Sequence, residues 1–366
     1  MARTVVKNSL CEIEDVDAGW LTSALREADV LKTASVVGFA ADAIGTGQVG
    51  HNMRYQLQYD SEEPEAPPSV VIKFPSPDES SRSTGILMST YDKEARFYAQ
   101  LAPTVNITIP RCFRVEHDEE SHLSTLMFED LAPAEQGDQL EGCSPARAEL
   151  AIDELVGLHV PYWNSPKLSE ISWLNISSDE GRATMGALYS MLWPGFVERF
   201  GERLSSEVMA LGATFGENFI TWSKRREQGP HTLTHSDFRL DNLLFSYDKD
   251  GLVTKVTTVD WQTVSLGVGT ADLAYFLGAG LLTKDRRVSE KALVERYYTN
   301  LVNQGVKGYE WSDCWDDYRC YSMSGFFMAV IASMSVRADE RGDAMFTAMA
   351  ERHGQQGLDL EVGEFL

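Results

Sequence analysis

His235-Ser236-Asp237-Phe238-Arg239-Leu240-Asp241-Asn242 runs directly into Leu243-Leu244-Phe245, and Val259-Asp260-Trp261 follows a short way on. Leu243 to Phe245 reads as a short apolar strand. Residues 246–251 (SYDKDG) read as a turn ending in the Asp-Gly pair that hairpins favour, and 252–259 alternate as a second strand. Paired, the two strands put Asn242 and Asp260 side by side at the open end of the hairpin, with Asp237 on the loop that feeds it. Two carboxylates and one amide oxygen then converge on a small volume. Hard oxygen ligands of this kind suit Mg²⁺, which takes one or two protein oxygens and completes its shell with water and substrate phosphates. Taken singly, each Asp is only a polar residue in a loop; the set at this spacing, ahead of a hairpin, carries the chemistry. Asp241 rivals Asp237 and is expected instead to cap or brace the loop.

The arrangement resembles the catalytic loop of the protein-kinase fold, H-x-D-x-x-x-x-N. It is similar more closely to the aminoglycoside phosphotransferase and choline-kinase-like superfamily, in a bacterial phosphotransferase branch near the ecdysteroid-kinase-like family. The resemblance implies that Asp237 is the catalytic base, Asn242 a Mg²⁺ ligand and Asp260 the main Mg²⁺ ligand. It implies an α+β, two-lobed, protein-kinase-like fold. Two departures stand out. Ser236 occupies a position where these families usually have Gly. Trp261-Gln262 follow Asp260 where protein kinases have Phe-Gly, and no Ala-Pro-Glu comes after. The second departure points away from protein substrates and towards small molecules.

Gly45-Thr46-Gly47-Gln48-Val49-Gly50 is a literal G-x-G-x-x-G. A dinucleotide-binding version must open a helix. Here Met53, Tyr55, Leu57 and Tyr59 alternate with Asn52, Arg54, Gln56 and Gln58, which is a strand of period two. A glycine loop between two strands is the kinase arrangement, in which Gly45, Gly47 and Gly50 let backbone N–H groups fold over ATP phosphates. Residues 69–74 (SVVIKF) form a further strand with Lys73 set in a β-branched run. The resemblance assigns Lys73 to the nucleotide phosphates. Residues 85–101 read as one helix whose inner stripe is Leu87, Tyr91, Glu94, Tyr98 and Leu101. Glu94 is the only charge on that stripe, and a carboxylate there needs a partner. Lys73 is the natural one.

Strands at 34–43, 52–59, 69–74, 111–115 and 123–128 give the expected five-stranded antiparallel sheet with one key helix, as an N-terminal nucleotide-binding lobe over 1–128. The segment Phe128-Glu129-Asp130-Leu131 resembles the hinge, whose backbone near Phe128 and Asp130 would meet the adenine. Residues 129–366 form the expected larger, mostly helical lobe for catalysis and acceptor binding. In it, 147–159 is amphipathic and ends in His159, expected to be packed rather than catalytic. Asp272 is implied to brace the catalytic loop. Tyr162, Trp163, Trp173, Tyr189, Trp193 and Phe196 supply aromatic surface, mostly core, in the region the superfamily uses for its acceptor. The most apolar run, 320–336, is expected as one buried helix, and 337–343 as a solvated charged segment.

The chain has 366 residues, 43% of them hydrophobic and 24% charged, which fits a globular enzyme. A formal net charge of −23 disfavours nucleic acid and anionic membrane as partners. Five cysteines without a C-x-x-C argue against structural zinc or a disulfide framework and fit a reducing cytoplasm. No signal peptide is read at the start, and no run is long enough for a membrane span. The expected function is that of an ATP- and Mg²⁺-dependent small-molecule kinase, monomeric or homodimeric, acting on a hydroxyl. The acceptor is expected to be apolar and steroid- or lipid-like, with an aminoglycoside-type or a hydroxyacyl-CoA acceptor as alternatives. A nucleotide-binding protein without transferase activity is the rival from another class.

Overall fold

The computed structural model describes residues 3–45, 49–174, 178–225, 228–335 and 339–366. The chain divides into two compact units. One comprises Met1–Thr104, Ile109–Pro133 and Val259–Val264; the other comprises Val105–Thr108, Ala134–Thr258 and Ser265–Leu366.

The first unit contains β1 (Val5–Lys7), α1 (Ala18–Glu27), β2 (Val36–Ile44), β3 (Gly50–Tyr59), β4 (Ser69–Pro75), α2 (Glu79–Leu87), α3 (Thr90–Arg96), β5 (Cys112–Asp118) and β6 (Leu123–Glu129). Asp17 starts α1 by accepting the Trp20 N–H at 2.6 Å, the usual way a side chain satisfies an orphan donor. The sheet has six strands in the order β1-β5-β6-β4-β3-β2. This corrects the expectation of five antiparallel strands: β1 adds an edge, and it runs parallel to β5. Three residues are too few to show a period, so the strand was invisible in the sequence. Val70, Ile72 and Phe74 point to one face and pack with Leu21, Ala24 and Leu25 of α1. Lys73 and Val71 necessarily point to the other.

The single helix expected over 85–101 is broken. α2 ends at Leu87, Ser89 takes a left-handed φ of 55°, and α3 restarts at Thr90 before closing in a π turn at Phe97–Leu101. The break resets the helical phase, so Leu87 is 83% exposed while Tyr91, Glu94, Tyr98 and Leu101 stay buried.

The second unit contains β7 (Glu135–Gln136), α4 (Pro145–His159), α5 (Asp179–Phe200), α6 (Ser206–Lys224), β8 (His231–Thr234), β9 (Leu243–Tyr247), β10 (Val253–Thr258), β11 (Ser265–Val268), α7 (Thr270–Gly280), α8 (Thr283–Asn303), α9 (Trp311–Tyr321), α10 (Ser324–Ser335) and α11 (Glu340–Asp359). β9 and β10 pair as an antiparallel hairpin with Leu243 opposite Thr258, and Gly251 turns it with φ 77°. β11 pairs with β8. The apolar run from Cys320 is two helices, not one. α9 ends at Tyr321, the Ser322 hydroxyl donates to the Arg319 carbonyl at 2.8 Å, and α10 begins at Ser324. A serine that bonds the backbone of the preceding turn competes with helix continuation. Val336 and Arg337 lie outside the described residues. Tyr189, Trp193 and Phe196 of α5 stack in series and pack with Phe215 and Phe326. No helix among the described residues is long and apolar enough to cross a membrane.

Candidate active site

In the first unit the chemistry gathers around Lys73. β4 carries it to the face away from α1, and Asn52 of β3 and Leu126 of β6 are its strand partners. Its Nζ lies 2.7 Å from Glu94 Oε2 and 2.9 Å from Asp260 Oδ1. Burial works against the ammonium charge, but Asp260 and Glu94 outweigh it, so the Lys73 pKa is raised. Burial pushes the Glu94 carboxyl up while Lys73 pulls it back. Two carboxylates share one cation; the bond to buried Glu94 is the stronger for being shielded from water, while the Asp260 carboxylate is partly exposed.

α3 serves this cluster twice, through residues three apart that share a helix face. Glu94 reaches Lys73. Tyr91 donates its hydroxyl to the Val49 carbonyl at 2.6 Å and accepts from the Ser76 N–H at 3.2 Å, fixing the exit of the glycine loop. Of the loop glycines, Gly45 has φ 74° and Gly50 opens β3, while Gly47 lies outside the described residues. A Cβ on Gly50 would stand 2.7 Å from Lys73 Cε, so any side chain there would push the lysine stem aside. Asp260 itself adopts a left-handed φ of 65°. The next residue anchors it: the Trp261 N–H donates to Glu94 Oε1 at 3.3 Å and its ring stacks on Phe97 at 3.8 Å.

Phe128 is buried in β6 opposite Val71, on the Lys73 side of the sheet. Asp130 is engaged through its side chain. It accepts from Arg54 at 2.7 and 3.0 Å, from the Ser69 hydroxyl at 2.6 Å and from the Ala132 N–H at 3.1 Å. Burial opposes ionisation there, but Arg54 and Ser69 prevail and hold its pKa below the usual carboxylate range.

In the second unit the chemistry gathers around Asp237. Its Oδ1 accepts from the Tyr275 hydroxyl at 2.7 Å. Its Oδ2 accepts from Arg239 Nε at 3.2 Å and from Asn242 Nδ2 at 2.9 Å. Asn242 Nδ2 also donates to the Asp237 carbonyl at 2.9 Å, so the amide nitrogen, not the oxygen, makes both bonds to Asp237. Asp241 braces the loop, accepting from the Gln139 N–H at 3.1 Å and pairing with Arg239. Burial disfavours the Arg239 charge, yet Asp237 and Asp241 raise its pKa further. Burial first and Asp237 second push the Tyr275 hydroxyl well above its ordinary value, so it stays a donor.

The loop backbone is held by α7. Asp272 accepts from the His235 N–H at 2.7 Å and the Ser236 N–H at 2.9 Å. His159 is fully buried behind it, 3.3 Å from Asp272 and 2.7 Å from the Tyr297 hydroxyl. Ser236 has φ 65°, which explains why glycine is usual there in the families it resembles.

Sequence reasoning missed Tyr91 and Tyr275, and it did not use Arg239. The signal for both tyrosines was spacing: each lies three residues from a recognised carboxylate, Glu94 or Asp272, on the same helix. Among the described residues no group of three or more His, Cys, Asp or Glu is arranged to hold a metal by itself.

A family profile described as the ecdysteroid kinase-like family matches residues 179–307. Among solved structures, choline kinase from Cryptosporidium parvum Iowa II is similar with a TM-score of 0.55 at 9% identity, covering 94% of this chain and 95% of its own. Ethanolamine kinase of Plasmodium vivax gives a TM-score of 0.52 at 11% identity, covering 86% and 81%. The GDP complex of aminoglycoside 2'-phosphotransferase-IIIa gives 0.52 at 12% identity, covering 92% and 97%. A search of curated protein sequences returned no match.

Proposed function

We propose that this chain, whose fold is similar to those of a choline kinase and an aminoglycoside phosphotransferase, transfers the γ-phosphoryl group of ATP to a hydroxyl of a small molecule. The observation that carries this reading is Lys73 held between Glu94 and Asp260 beside Gly50. A partly buried lysine with two carboxylate partners is preorganised to meet phosphate oxygens, as a point charge with three donors.

In this reading Lys73 and the glycine loop, through Gly45, Gly47 and Gly50, hold the nucleotide phosphates. Backbone groups near Phe128 and Asp130 receive the adenine. Asp237 orients the acceptor hydroxyl and takes its proton late, because phosphoryl transfer is largely dissociative. Tyr275, Arg239 and Asn242 fix that carboxylate in one orientation. Asn242 and Asp260 would hold Mg²⁺, which supplies neutralisation of the charge developing on the phosphates. Arg239 Nη2, which makes no hydrogen bond with any described residue, is placed beside Asp237 to meet an anionic group.

The match to the ecdysteroid kinase-like family favours an apolar, steroid- or lipid-like alcohol as acceptor. A cationic amino alcohol or aminoglycoside is the second reading, favoured by the net charge of −23. The test is phosphate transfer from γ-labelled ATP to a panel of sterols, amino alcohols, aminoglycosides and hydroxyacyl thioesters, with Asp237→Asn as control. We expect transfer to one class, lowered about 10²–10⁴-fold by the substitution. Transfer that survives Asp237→Asn intact would remove Asp237 from the role of base. ATP binding without transfer to any class would favour a nucleotide-binding protein instead.

A further inference from the structure

Gln262 stands second after Asp260, in the Trp-Gln pair that replaces the Phe-Gly of protein kinases. It has no part in the scheme above, yet its side chain is 8% exposed and its Nε2 makes no hydrogen bond in the structure. A primary amide nitrogen carries two donors, and a buried donor left unmade costs the full desolvation of the group. An unsatisfied buried group in a native protein calls for an explanation, such as a functional role or a bound ion that completes it.

The surroundings indicate what that ligand is. A Cβ on Gly50 would stand 3.7 Å from Gln262 Nε2 and 2.7 Å from Lys73 Cε. The amide and the lysine therefore flank the last glycine of the loop together. Trp261, locked to Phe97 and Glu94, fixes the backbone from which Gln262 projects. An uncharged double donor beside an ammonium group suits the oxygen of an anion, since both then donate to one acceptor group.

Resting on the phosphotransferase reading, we propose that Gln262 binds the polyphosphate of the nucleotide, its Nε2 donating to a phosphate oxygen next to the one that Lys73 neutralises. The replacement of Phe-Gly by Trp-Gln is then functional: a side-chain donor stands where protein kinases have a glycine. In the absence of nucleotide the same amide is an unsatisfied buried group, so its removal should stabilise the empty protein while weakening the complex.

Calorimetry of ATP, ADP and adenosine with Mg²⁺ on the full chain, wild type and Gln262→Met, tests this, with melting temperatures of the nucleotide-free proteins alongside. Methionine keeps length and flexibility and removes the donors. We expect ATP and ADP to bind about tenfold or more weakly to the variant, adenosine to change less than twofold, and the empty variant to melt at or above wild type. Equal weakening of all three ligands, no weakening, or a lower melting temperature of the empty variant would each overturn the proposal. Failure of wild type to bind ATP at all would instead overturn the phosphotransferase reading on which it rests, while Gln262 would be reassigned to another anion by repeating the titration with inorganic pyrophosphate; no pyrophosphate binding would end the proposal too.

Discussion

Glu94 is 2% exposed and depends on Lys73 for its charge to be tolerable. Replacing Lys73 by alanine strands that carboxylate, and breaking a buried pair from one side costs about 3–5 kcal/mol. We expect Lys73→Ala to lose that order of stability in urea unfolding and to lose ATP binding, with Lys73→Ala/Glu94→Gln regaining stability but not binding. At Ser236 two effects oppose each other. A left-handed φ costs a non-glycine residue roughly 1–2 kcal/mol, whereas its hydroxyl bonds Thr234 at 3.0 Å and Ser265 at 2.7 Å, each worth about 1 kcal/mol. Ser236→Gly should therefore shift stability by no more than about 1 kcal/mol and leave turnover intact; a large loss in either would show that the hydroxyl pair does more than hold the loop. At this scale, motif residues are legible in sequence because their types and spacing are dictated by chemistry. Tyr275, Tyr91 and Gln262 are not, because a tyrosine or glutamine on a buried face has many uses until its partner is known.

Secondary structure was legible where the period was long and uninterrupted, as in β3 and α4. It failed where one residue changed the phase. Ser89 splits the expected helix at φ 55° with no side-chain cap, and nothing in the composition of 85–101 marks it. A β-branched residue is a poor occupant of that conformation, so Ser89→Val should lower stability by about 1–3 kcal/mol and Ser89→Gly should be tolerated; equal stability of the two would deny the break. A second element-level device joins α7, α10 and α11. The His353 ring of α11 is fully buried, packs 5.6 Å from the Tyr275 ring, and fits only because Gly325 of α10 has no Cβ, which would collide with the imidazole. Burial lowers the His353 pKa from 6.5 to about 4. The folded state holds the neutral ring and the unfolded state takes up a proton near pH 6.5, so this contribution is complete above pH 6.5 and is lost as pH falls through 4. The loss is about 3 kcal/mol at 1.4 kcal/mol per unit. We expect the difference in unfolding free energy between pH 7 and pH 4 to shrink by that order in His353→Gln; an unchanged pH dependence would mean the ring is not titrating in this window.

The molecule as a whole carries a net charge of −23 over 366 residues, and self-repulsion of that size destabilises a compact state until salt screens it. Its melting temperature should rise between low ionic strength and about 0.15 M salt, where the screening length falls to about 8 Å; a fall would mean that attractive surface pairs outweigh the repulsion. The α+β class and the kinase-like fold were legible because several weak motifs occur in one order along the chain, and order is hard to produce by chance. The sixth strand was not, since it rests on a three-residue edge pairing with β5 that only the folded sheet defines. The acceptor is the least legible feature, because the aromatic residues that sequence places in that region largely serve as core, with Tyr189 and Phe196 buried. The most direct measurement is calorimetry of ATP with and without Mg²⁺, on wild type and Asp260→Ala. Mg²⁺-dependent binding that the substitution abolishes is the predicted result. Absence of ATP binding by wild type under every metal condition would contradict the account.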